Sequence, residues 1–206
     1  MTIQGGCKMV YGIEVKQDKV DWDEISSVEI KNYPWGTDYM PETKAWLYRI
    51  EGEGFWLKMR CEEKNPKAIY TEDNDPVYKD SCMEFFANYY PEEEGTGYIN
   101  FEINSNGAVL SAYGHPGNRS SLKSKGFEVP KPVVTKGEDY WEIELMIPDK
   151  LIKAVYNKET MSKKIKGNFF KCGDDTHAPH YGSWSPIENP VPAFHKPEFF
   201  GDLILE

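Results

Sequence analysis

The chain has 206 residues, of which 39% are hydrophobic and 14% aromatic, and its formal net charge is −10. Because this length can bury one core and all-β domains of this size commonly stay undivided, we predict a single domain over residues 1–206. The acidic charge argues against nucleic acid as a partner, since phosphate binding needs a clustered excess of Lys and Arg. No apolar run approaches the roughly 20 residues of a membrane span, so a membrane is not expected as a partner either.

Alternation of apolar and polar residues with a period of two dominates the chain and predicts strands. In chain order, the predicted strands cover residues 11–15, 27–31, 45–50, 55–61, 81–88, 98–113 as a hairpin, 128–134, 141–147, 167–172 and 200–205. The hairpin turn is indicated by Asn106 and Gly107, because Asn-Gly is a strong short-range hairpin signal. About ten short strands separated by Gly, Pro and Asn predict an all-β fold, a sandwich or a barrel.

One short helix is predicted over residues 148–156. Pro148 suits the start of a helix, and the apolar residues that follow it are spaced to share one side.

Trp184 is expected in the core. Cys82 and Cys172 lie inside apolar strand patterns and are predicted to be small core residues, since no close cysteine pair marks a zinc or redox motif.

The aromatic content is high for a chain whose mean hydropathy is −0.65. The sequence contains 6 Trp, 13 Tyr and 10 Phe, so many rings must serve polar surfaces as well as the core. Exposed rings of this kind fit sugar binding, because the C–H faces of a pyranose lie on a ring while its hydroxyls meet polar groups.

Three segments carry more specific motifs: Asn-Asp-Pro at 74–76 followed by Asp80 and Glu84, Tyr-Ile-Asn-Phe-Glu-Ile-Asn at 98–104, and residues 183–203 with Trp184 and Phe194. In this order and spacing they resemble the family 9 carbohydrate-binding modules, especially a branch of stand-alone members. The similarity covers about residues 22–205. It implies an antiparallel lectin-like or immunoglobulin-like β-sandwich that binds carbohydrate without catalysis and supports carbohydrate catabolism.

The resemblance also implies a set of ligand contacts. In the family, a terminal sugar of a plant-type or other polysaccharide is held between two rings, usually Trp, which here match Tyr78 and Phe194. Glu84 matches the family's acidic ligand contact. Lys171 lies where the family presents a Gln, and Glu102 takes the place of a ligand-binding Arg. His195, next to Phe194, adds a hydrogen-bonding group to this set.

Each of these residues has an alternative interpretation. Tyr78 and Phe194 are also compatible with covering the edge of the core. Glu84 is equally compatible with a structural ion pair in which Lys171 is a candidate partner. Glu84 and Glu102 together also suit a glycoside hydrolase, which needs two carboxyl groups about 5 to 9.5 Å apart. We favour binding without catalysis, because the sequence supplies no reason for one of the two carboxyls to have a raised pKa.

Calcium in a structural role is implied by the resemblance, and the acidic loop offers Asp73, Asp75 and Asp80 as ligands. The alternative is a solvated acidic loop. The His-rich and Asp-rich loop at residues 172–180 is predicted to be ordered by hydrogen bonds, since its spacing fits no standard zinc motif.

Residues 1–10 lack a signal-peptide pattern, which leaves a cytoplasmic protein or a secreted one with its signal removed. The oligomeric state stays open.

Overall fold

The computed structural model describes residues 9–36 and 38–206. Within these residues the chain forms fourteen strands and one α-helix, α1 (Asp149–Tyr156). The strands are β1 (Val10–Lys16), β2 (Ser27–Glu29), β3 (Asn32–Gly36), β4 (Thr43–Ile50), β5 (Gly54–Cys61), β6 (Cys82–Asn88), β7 (Tyr98–Asn104), β8 (Val109–His115), β9 (Asn118–Ser121), β10 (Val133–Lys136), β11 (Trp141–Pro148), β12 (Lys164–Cys172), β13 (His180–Ser183) and β14 (Gly201–Leu205). The predicted all-β class with one short helix is confirmed.

The strands form one hydrogen-bonded path that folds into the two layers of a sandwich. The first layer contains β10, β11, β5, β4 and β2, and the second contains β14, β12, β6, β7, β8 and β9, with β13 beside β12 and β3 beside β13. β1 joins the layers, because residues 10–13 pair with β14 and residues 14–16 pair with β4. Both pairings of β1 are parallel, so the predicted antiparallel sandwich contains one parallel corner strand.

One hydrophobic core lies between the layers. Alternate residues of β5 point into it and are fully buried, namely Phe55, Leu57, Met59 and Cys61. From the second layer, Met83 and Phe85 of β6 join the same cluster. Trp184 is 2% exposed and packs edge-on against Phe169, with ring centroids 5.8 Å apart, which confirms its predicted place in the core.

Local chemistry explains where the observed elements differ from the predicted ones. The strand predicted at 128–134 begins only at Val133, because Pro130 and Pro132 cannot donate ladder hydrogen bonds. The helix begins at Asp149, directly after Pro148, and ends at Tyr156, because Asn157 follows it with a left-handed φ of 54°. No helix in the described part of the chain is long and apolar enough to cross a membrane.

Candidate functional site

A cavity of about 410 Å³ lies on the outward face of the second layer, over strands β6, β7, β9 and β12. Its lining includes five residues that the sequence predicts as ligand contacts: Tyr78, Glu84, Glu102, Phe194 and His195. The structure therefore brings together five of the six predicted ligand-binding residues. The sixth, Lys171, does not line the cavity.

Strand register places the two glutamates side by side in the cavity floor. Glu84 of β6 lies directly opposite Glu102 of β7, and residues opposite one another in an antiparallel pair point to the same face. Their neighbours on β6, Met83 and Phe85, point the other way into the core. Each glutamate is only 3% exposed, so the pocket holds two nearly buried carboxyl groups.

Aromatic rings form the walls of the cavity. Tyr78 belongs to a short 3₁₀ turn, Val77–Lys79, and Phe194 belongs to an irregular segment that crosses the sheet face. Phe194 is anchored because it stacks on Phe170 at a centroid distance of 4.3 Å and an interplanar angle of 14°. Tyr181 of β13 is a third ring in the lining, which sequence analysis missed because no ligand motif includes it.

Burial changes the protonation of the two glutamates in the cavity floor. Burial raises the pKa of Glu102 to about 7, and Arg119 partly offsets this rise. Burial, together with Cys172 and Glu102, raises the pKa of Glu84 well above its usual value. Near pH 7 Glu102 is therefore present in both protonation states, and it can donate a hydrogen bond as an acid or accept one as a carboxylate, which suits sugar hydroxyls.

Arg119 of β9 supplies a cation that sequence analysis missed. Its guanidinium lies against the His195 ring, and His195 Nδ1 is 2.9 Å from the Tyr98 hydroxyl. Burial and the nearby Arg119 lower the pKa of His195 to about 3, so at neutral pH its 3.9 Å approach to Glu102 is not an ion pair. β9 lies outside every strand that the sequence predicts, which is why Arg119 was missed.

The position of Lys171 differs from the sequence prediction that it contacts the ligand. It pairs with Met83 across the β12–β6 ladder and therefore shares the inward face of that residue, where it is fully buried. Its Nζ lies 2.8 Å from His180 Nε2, 2.9 Å from Ser81 Oγ and 3.3 Å from Glu63 Oε2. Lys171 is thus part of a buried structural network, and its ionic partner is Glu63 rather than Glu84.

The predicted calcium ligands do not gather into one site. Asp73 pairs with Lys131, and Asp75 Oδ2 accepts a hydrogen bond from the backbone N–H of Glu72. Asp80 Oδ2 accepts bonds from the backbone N–H groups of residues 69 and 70. The three carboxylates thus have separate partners, and calcium remains a prediction.

Glu102→Gln tests the protonation of the floor. The folded chain keeps a proton on Glu102 between pH 4.5 and about 7, whereas the unfolded chain has released it. The stability that this group contributes is therefore lost as pH rises through this window. We expect the free energy of unfolding of Glu102→Gln, relative to wild type, to rise by about 3 kcal/mol from pH 4.5 to pH 7.

Urea unfolding at a series of pH values measures this difference. Glu159→Gln, at an exposed position, is the matched control. A constant difference between Glu102→Gln and wild type across the window would contradict the raised pKa.

Fold and site together define a class of protein. A β-sandwich whose sheet face carries one pocket with aromatic walls and hydrogen-bonding groups in its floor is typical of sugar-binding domains. Comparison of the sequence agrees, since the family model described as carbohydrate-binding family 9 matches residues 11–205. The chain belongs to this family, as the resemblance in its motifs predicted.

Solved structures show the same fold. A candidate carbohydrate-binding protein from Bacteroides uniformis is 26% identical, with a TM-score of 0.81 over 97% of this chain and 100% of that one. A family 9 module from Caldicellulosiruptor kristjanssonii in complex with cellotriose is 11% identical, with a TM-score of 0.65 over 96% and 94%. A family 9 module from the same organism in complex with glucose is 12% identical, with a TM-score of 0.63 over 96% of both chains. No curated protein sequence matches the chain significantly.

Proposed function

We propose that the protein binds the terminal sugar of an oligosaccharide or polysaccharide in the 410 Å³ cavity and thereby supports carbohydrate catabolism. The observation that carries this proposal is the meeting of two rings, Tyr78 and Phe194, with the carboxyls of Glu84 and Glu102 in one cavity. The rings suit the C–H faces of a pyranose and the carboxyls suit its hydroxyls. The cavity is near the lower end of the roughly 300–1,000 Å³ range of ligand pockets, which favours a chain end over a long internal stretch.

Polar groups from three strands converge on the proposed sugar. Charge-assisted hydrogen bonds are roughly twice as strong as neutral ones, so an ionised Glu102 and the Arg119 guanidinium are expected to contribute most to the choice among hydroxyl patterns. Burial raises the pKa of Glu84 well above its usual value, and in its protonated form this carboxyl is expected to donate a hydrogen bond to a ring or hydroxyl oxygen. His195 stacks on Phe86 at 4.8 Å and presents a neutral imidazole.

The hydrolytic alternative is less well supported. Hydrolysis needs one carboxyl on each side of the glycosidic bond. Glu84 and Glu102, however, are direct cross-strand neighbours on one sheet face, so both approach a bound sugar from the same side. We therefore propose binding rather than cleavage and expect no turnover of chromogenic glycosides.

Isothermal titration calorimetry tests the proposal. Because the solved family 9 modules are complexes with cellotriose and glucose, these two sugars and galactose form the first panel, titrated at pH 7 in the presence of a metal chelator. We expect saturable binding to at least one sugar and a loss of affinity in Glu102→Gln. If the protein binds no sugar in this panel and none in a wider glycan array, the proposal is wrong.

A further inference from the structure

A second group of side chains lies at the edge of the same cavity. Cys82 of β6 and Cys172 of β12 are direct cross-strand partners, and Glu84 follows two residues after Cys82 on the same face. One ligand atom from each of the three lies within 4.8 Å of the other two. Cys172 Sγ is 3.0 Å from Glu84 Oε1, so the three donors face a common point.

Burial without a cation distinguishes this cluster from ordinary core cysteines. Cys82 is 0% exposed and Cys172 is 1% exposed, yet the Glu84 carboxyl group lies beside the Cys172 sulfur. Within residues 9–36 and 38–206, none of the three makes an ion pair, because the nearby Lys171 points to the opposite face and contacts Glu63. The cluster is therefore a set of three buried donor atoms that lie within 4.8 Å of one another and have no cation of the protein among their partners in the described part of the chain.

The donor set selects the kind of metal. Two thiolate sulfurs and one carboxylate oxygen suit zinc, which is tetrahedral and prefers S and N donors, whereas calcium and magnesium take oxygen ligands only. Three protein ligands leave a fourth position open. Glu84 and Cys172 both line the cavity, so the cavity supplies a path of entry for a metal ion.

We propose that Cys82, Cys172 and Glu84 bind one Zn²⁺ ion at the cavity floor, with the fourth position available to water or to a hydroxyl of a cavity ligand. Binding forms two Zn–S bonds and one Zn–O bond, and the protons of both thiols and of the Glu84 carboxyl pass to solvent. The site then carries a net charge of −1. Since protons are released, zinc affinity rises with pH. This site is additional to the proposed sugar contacts, although Glu84 belongs to both.

Cobalt substitution tests the site without any sugar. Fully reduced protein, freed of metal by a chelator and then desalted, is titrated with Co²⁺, and the thiolate-to-metal absorption is recorded before displacement by Zn²⁺. Wild type is expected to bind one equivalent with a thiolate band, and Cys82→Ser and Cys172→Ser to bind at least about 100-fold more weakly. Cys61→Ser, which changes a buried cysteine of the other layer, is the matched control and is expected to bind like wild type.

Two further readouts keep the test decisive. If a serine variant does not fold, Glu84→Gln replaces it and is expected to weaken Co²⁺ binding while keeping the thiolate band. Absence of a thiolate band in wild type, or wild-type affinity in both Cys82→Ser and Cys172→Ser, would overturn the proposal. Because the sugar titrations contain chelator and the metal titrations contain no sugar, each proposal can fail without the other.

Discussion

Replacing Lys171 with methionine is expected to lower the free energy of unfolding by about 3–5 kcal/mol. The ammonium group is fully buried and lies 3.3 Å from Glu63 Oε2. Burial raises the pKa of Glu63, but Lys171 and hydrogen bonds from Ser81 and Trp141 outweigh burial, so the pKa is lowered and the carboxylate is charged. Methionine fills a similar volume but leaves that charge buried without its cation. Urea unfolding measures the loss.

Two variants separate this effect from a general loss of charge. The double variant Glu63→Gln/Lys171→Met removes both charges and is expected to recover part of the stability. Lys31→Met breaks an exposed pair with Glu29 and is expected to cost no more than about 1 kcal/mol. A loss below about 1 kcal/mol in Lys171→Met would contradict the role of the buried pair. Lys171→Met that still folds is expected to keep its sugar affinity, which a ligand-binding lysine would not.

Removal of either wall ring is expected to weaken sugar binding by about 10-fold to 60-fold. Each ring face that a sugar covers buries roughly 50–100 Å² of apolar surface, or about 1.3–2.5 kcal/mol. Phe194→Ala is expected to have the larger effect, because Phe194 is held in place by Phe170 and so loses little entropy on binding. Calorimetry with the sugar that binds wild type measures both Phe194→Ala and Tyr78→Ala.

An aromatic residue outside the cavity supplies the control for these variants. Tyr140 lies on the other layer, where the Arg60 guanidinium is 3.6 Å from its ring centroid, and Tyr140→Ala is expected to leave affinity unchanged. Thermal unfolding checks that each variant folds. Unchanged affinity in both Phe194→Ala and Tyr78→Ala would remove the two rings from the proposed site and favour the interpretation that they only cover the edge of the core.

The sequence by itself was sufficient for the fold class and for five of the residues that line the candidate cavity. A period of two assigns each strand residue to one of two faces, so the inward set of β5 and the outward direction of Glu84 follow from local pattern alone. Tyr78, Phe194 and His195 were found through motif resemblance, and the structure places all three in one cavity with Glu84. Local propensity also predicted the helix that follows Pro148.

Only the tertiary structure decided which faces meet. Alternation shows that Lys171 and Phe170 point in opposite directions, but the register with β6 determines that Lys171 shares the inward face of Met83. Arg119 and Tyr181 reach the cavity from four-residue strands that are too short to be predicted. β9 is placed by its hairpin with β8, whereas β13 is placed between β12 and the distant β3. Cys82 and Cys172 are 90 residues apart yet directly opposite across the β6–β12 ladder. Such contacts depend on strand order and register, which are set by the packing of the whole core rather than by any local pattern.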